Sequence, residues 1–172
     1  MVALGCSSAF ADAPPQLCNK TIVMNWSEYR VQRADAGDIS KSNTSSSLLV
    51  YVSSSGRLFT RLSRNNNRRS NSNNVDPEGG NQRVGAGAAG NLRSSFEGQQ
   101  LLIENSMKSG ARRIQATFKP GFSGCNLAVR FGKEGGAEIR HRSMDGRMHN
   151  IISTDVSAQS CSIRSGNVFT VQ

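Results

Sequence analysis

A chain of 172 residues has room for one domain of ordinary size. Ser, Gly and Asn fill 57 positions while Leu, Ile, Val and Phe supply only 36, close to the level at which a charged chain stays disordered, and 21 basic against 12 acidic side chains leave a net charge of +9. No run of about 18 apolar residues is present to form a membrane-spanning helix, and Gly and Ser interrupt every heptad-length window, which excludes a coiled coil.

The first thirteen residues, MVALGCSSAFADA, end on Ala11-Asp12-Ala13, the small-x-small pattern that a signal peptidase accepts, and Pro14 and Pro15 follow. Residues 1–13 are therefore expected to be the remnant of a secretory signal peptide whose start lies upstream of Met1, with residues 14–172 forming one periplasmic or secreted domain. Export places the chain in an oxidising compartment where cysteines pair. Cleavage after Ala13 removes Cys6 and leaves Cys18, Cys125 and Cys161, which allow three bridges with one thiol left over. Cys125 with Cys161 is the favoured disulfide, because both lie in the region of clearest strand pattern. No spacing resembles CxxC, so neither a zinc site nor a dithiol redox pair is expected.

Residues 21–33, with Ile22, Val23, Met24, Trp26, Tyr29 and Val31, read as a strand by composition, although Ile22, Trp26 and Tyr29 also fit one face of a helix. Residues 40–47 read as a polar loop. The apolar run at 48–52, the turn Ser53-Ser54-Ser55-Gly56 and residues 57–62 have the signature of a hairpin. Residues 63–95 hold eight Asn, five Gly, five Ser and five Arg with no strand or helix period, and are expected to be a disordered insertion. Beyond it, Ile114, Ala116 and Phe118 alternate with polar neighbours, and so do Cys125, Leu127, Val129 and Phe131, which places each set on a buried face. A short similarity relates residues 55–60 to 165–170, each read as a turn leading into a strand. Seven or eight short strands and no long helix predict an all-β fold, a single antiparallel β-sandwich or barrel-like domain.

Two motifs match catalytic or cofactor patterns in letters only. Gly85-Ala86-Gly87-Ala88-Ala89-Gly90 fits GxGxxG, but no strand precedes it and no helix follows, as a dinucleotide site requires. Gly121-Phe122-Ser123-Gly124-Cys125 approaches the nucleophile elbow, yet Cys replaces the last Gly and the surrounding α/β alternation is missing, so a turn is expected.

Asp145-Gly146 is the strongest two-residue turn signal, joining residues 137–144 to 147–152. In that register Arg142 faces His149 and His141 faces Asn150, so the two histidines point to opposite faces and cannot share a metal or act as an acid–base pair. Arg140, Arg142 and Arg147 then cluster on one face, with Arg130 projecting from the preceding strand. Guanidinium forks suit phosphate, sulfate or carboxylate. Nucleic acid is a poor fit, because that face carries no aromatic ring on which bases stack.

The region from Phe96 to Phe169, with Ser109-Gly110-Ala111-Arg112-Arg113-Ile114, Ser123-Gly124-Cys125, Gly132-Lys133-Glu134-Gly135-Gly136 and Cys161-Ser162-Ile163, resembles small exported proteins of alphaproteobacteria of unassigned activity. The resemblance implies an envelope location and a bacterial source, and supplies no catalytic residue. The expected function is non-enzymatic binding of an anionic partner, an acidic glycan, lipid head group or acidic protein, through Arg130, Arg140, Arg142 and Arg147, without metal or cofactor. Two alternatives stand beside it. One is a hydrolase of envelope polymers using a carboxylate among Glu97, Glu104, Glu134 and Glu138, which no spacing pairs. The other is an assembly protein that joins a partner strand at a sheet edge.

Overall fold

Period-two alternation carries through the chain into eleven antiparallel strands in a computed structural model that describes residues 13–66, 70–75, 82–83, 90–107, 110–132, 139–142 and 146–169. They are β1 (Lys20–Ala34), β2 (Ile39–Val52), β3 (Leu58–Asn66), β4 (Ser70–Val75), β5 (Gln82–Arg83), β6 (Gly90–Glu97), β7 (Gln100–Met107), β8 (Gly110–Phe118), β9 (Cys125–Gly132), β10 (Ile139–Arg142) and β11 (Met148–Ser165). One sheet has the order β10-β11-β1-β2-β3-β4 and the other β5-β6-β7-β8-β9. Every ladder joins chain neighbours except β11 with β1, which brings the end of the chain back to its start. The fold is all-β, as expected.

The inward positions of both sheets form one core. Ile22, Met24 and Trp26 of β1 meet Leu48, Val50 and Val52 of β2, and across the gap lie Leu101, Ile103, Ile114, Ala116, Phe118 and Val129. Ala13, placed by the sequence at the end of a leader, is buried in this core, as is Leu17 of the 3-10 turn Pro15–Leu17. The Cys125–Cys161 disulfide forms as expected, with Cα atoms 5.3 Å apart. It ties β9 to β11 where no ladder joins the sheets, and the Val129 N–H donates to Gln159 Oε1 at 2.6 Å beside it. No helix among the described residues is long and apolar enough to cross a membrane.

Several expectations are corrected. Residues 40–47 are the first half of β2, not a loop: Ser42, Thr44 and Ser46 stand opposite Arg30, Glu28 and Trp26. The ladder to β1 overrides the weak strand preference of Ser and Asn. Cys18 is disulfide-bonded, so no thiol is left over among the described cysteines. In the 145–146 hairpin the ladder pairs His141 with His149 and Arg142 with Met148, one residue out from the register of a two-residue turn. A longer connection between β10 and β11 therefore reverses the expected relative facing of the two strands. Ser165 ends β11 and residues 166–169 after it open no strand, while residue 170 lies outside the described residues. Of the 63–95 stretch, residues 63–66 finish β3, 70–75 form β4, 82–83 form β5 and 90–95 start β6, while 67–69, 76–81 and 84–89 lie outside the described residues. Most of the GxGxxG segment and most of the expected leader lie outside them too.

Candidate functional site

The four arginines singled out in the sequence fall on two different sheets. Arg140 and Arg142 sit on β10, the edge of the six-stranded sheet, and both are exposed, as is Arg147 in the connection that follows. Arg140 already has a counter-charge, with Nη2 donating to Asp35 Oδ2 at 2.7 Å. Arg130 belongs to β9 in the other sheet, where its ladder neighbour is Arg113 of β8, and Arg113 in turn stands opposite Glu104 of β7.

That neighbourhood is concave. A trough of about 790 Å³ lies on the outer face of the five-stranded sheet, lined by Ser95, Leu102, Gln115, Ala128, Arg113 and Arg130 together with Glu104. Ser95, Leu102, Gln115 and Ala128 form one row across four strands, about 14 Å long at the usual strand spacing. The row Glu104, Arg113 and Arg130 runs beside it. Small side chains at Ser95 and Ala128 leave the hollow open. The amides of Gln115 and Gln100 are joined at 3.2 Å, and Gln115 also donates to Thr117 Oγ1 at 3.4 Å, so a polar ladder borders the trough. Arg113 Nε lies 3.8 Å from Glu104 Oε2 with both side chains about half exposed, a weak pair that a ligand can displace. Arg130 is exposed and forms no ion pair among the described residues. The floor is apolar, the borders carry amides and hydroxyls, and the two guanidiniums are within reach of solvent. Such a surface can take up a sugar ring and a charged substituent together.

A second charged centre lies inside, at the end of the core where the apolar rows stop. Inward alternation along β1 runs from Ile22, Met24 and Trp26 to Glu28 and Arg30, and along β8 backward from Phe118, Ala116 and Ile114 to Arg112. Glu28 is 2% exposed and Arg112 is fully buried. The Arg112 guanidinium donates through Nε to Oε1 and through Nη2 to Oε2 at 2.9 Å. The Trp26 indole N–H donates to Oε1 at 2.9 Å, and Arg64 and Arg30 approach Oε2 at 3.5 and 3.7 Å. Burial raises the Glu28 pKa, but the bonds and charge of Arg112, the Trp26 N–H and the Arg64 charge outweigh it and hold the carboxyl at about 2. Nothing in composition flags this centre. Two residues of further alternation beyond Trp26 and Ile114 would have reached it.

Ser123, at the letter-match to a nucleophile elbow, donates its hydroxyl to the Pro120 carbonyl at 3.2 Å within a 3-10 turn (Pro120–Phe122), where it closes the turn between β8 and β9. Among the described residues no three His, Cys, Asp or Glu side chains converge as a metal site. No protein-family model matches the chain, and no curated protein or solved structure matches it either.

Proposed function

We propose that the protein is an exported, non-enzymatic β domain that binds an acidic glycan along the outer face of β6 to β9. The observation that carries this reading is the trough in which Arg113 and Arg130 stand side by side above a floor of Leu102 and Ala128. An acidic sugar polymer offers what such a surface accepts: rings to cover the small apolar floor, hydroxyls for Gln100, Gln115 and Thr117, and carboxylate or sulfate groups for two guanidinium forks. The net charge of +9 raises the local concentration of any polyanion, and the exposed Arg142 and Arg147 extend this field at the edge of the other sheet. Arg140 contributes least, because Asp35 already neutralises it.

Export is part of the proposal. The Cys125–Cys161 disulfide and the second bonded cysteine, Cys18, support it, since such bonds persist outside reducing compartments. The experiment is elution from immobilised heparin by a salt gradient. The Arg113→Ser/Arg130→Ser variant elutes at markedly lower salt than the parent, while Arg140→Ser/Arg142→Ser, which removes the same charge, shifts much less. Equal shifts for the two variants would reduce the interaction to net charge and remove the trough from the account.

A further inference from the structure

Among the described residues, the buried charge centre holds more positive charge than its one carboxylate balances. Glu28 is the only acidic group among the described residues in contact with Arg30, Arg64 and Arg112, so three guanidiniums share one carboxylate. Arg112 engages both Glu28 oxygens, which leaves Arg30 and Arg64 at the margin of a fork that is already filled. Both approach the same oxygen, Oε2, and therefore flank one point. Two polar atoms close to them are buried with no hydrogen-bond partner: Arg64 Nε and the hydroxyl of Ser46, which stands beside Arg64 and Trp26 in the ladders. Phe131 receives Arg30 and Arg112 on its ring at 4.5 and 5.6 Å, which eases the crowding of like charges without supplying a negative one.

We propose that this centre is a binding site for a small oxyanion, a phosphate, sulfate or carboxylate group, held by Arg64 and Arg30 with the Ser46 hydroxyl beside them. Unpaired charge in an interior is costly, and a bound anion both balances it and accepts from the donors left open. Access is available from the Arg side: the Arg30 and Arg64 side chains keep 17% and 23% of their exposure, whereas Arg112 keeps none. Burial, and then repulsion by Arg112, lowers the Arg64 pKa to about 10 against the pull of Glu28. The residues proposed to hold the anion, Arg30, Arg64 and Ser46, do not line the outer trough, and the site stands independently of the glycan reading.

Trp26 is the only tryptophan in the chain, and its indole is bonded to Glu28, so its emission reports on this centre. The test is a titration of the full chain with inorganic phosphate at constant ionic strength set by sodium chloride, following Trp26 emission and thermal unfolding. Sulfate and acetate titrated in parallel rank the oxyanions. A saturable change in emission with a rise in Tm is expected, kept in Arg113→Ser/Arg130→Ser and weakened at least about tenfold in half-saturation by Arg64→Gln. If Arg64→Gln does not fold, Arg30→Gln is read in its place. No saturable response in the parent protein, or the same half-saturation in the Arg variant, would overturn the site.

Discussion

Arg112 of β8 and Glu28 of β1 face each other across the gap between the sheets and close a two-point fork, Nε to Oε1 and Nη2 to Oε2. The pair fixes the five-stranded sheet against the six-stranded one at the end of the core where apolar residues run out. Removing the carboxylate charge leaves three guanidiniums, one of them fully buried, without their shared partner. Glu28→Gln is therefore expected to destabilise the fold by about 3–5 kcal/mol, measured by urea unfolding at neutral pH, with an unchanged m-value.

The same pair sets an acid limit. The folded Glu28 carboxyl is held at about 2 against an ordinary value of 4.5, so its contribution is fully present above about pH 4.5 and is lost as pH falls towards 2. The depression corresponds to stability on the order of 3 kcal/mol. A series of unfolding curves between pH 6 and 2 should show this loss in the parent, with a shallower slope in Glu28→Gln. Parallel slopes would mean that other carboxylates govern acid unfolding.

Cys125–Cys161 closes a 36-residue separation at the seam between β9 and β11, where side-chain contacts replace a ladder. By the loop-entropy model, Cys125→Ser/Cys161→Ser should lose about 3 to 4 kcal/mol. Amide exchange would localise the loss, with protection falling first in β9 and the second half of β11. Uniform loss across both sheets would show that the seam does not open separately.

Much of the fold was legible because burial writes itself as alternation. Ile114, Ala116 and Phe118, and Cys125 to Phe131, show a period of two, and the disulfide follows from placing Cys125 and Cys161 among strands. The first half of β2 was hidden because Ser42, Thr44 and Ser46 carry no apolar signal, and only the ladders on either side make that stretch a strand. The Glu28–Arg112 centre was hidden for a related reason. Alternation was followed only while the inward residues stayed apolar, and here the inward face continues with charges. The trough depends on neighbours across strands, so Arg113 was not singled out, although it stands beside Arg130 in the ladder. The hairpin arginines were grouped on one face by assuming a two-residue turn, and one residue of register separated the expected β10–β11 pairing from the observed one.

The central claim is that the outer face of β6 to β9 takes up an acidic glycan. Titration of isotope-labelled protein with a heparin oligosaccharide, followed by amide chemical shifts, tests it most directly. The account predicts saturable shifts concentrated on Ser95, Leu102, Arg113, Gln115, Ala128 and Arg130, abolished in Arg113→Ser/Arg130→Ser. Shifts confined to Arg140, Arg142 and Arg147, or spread without saturation over the basic surface, would contradict it.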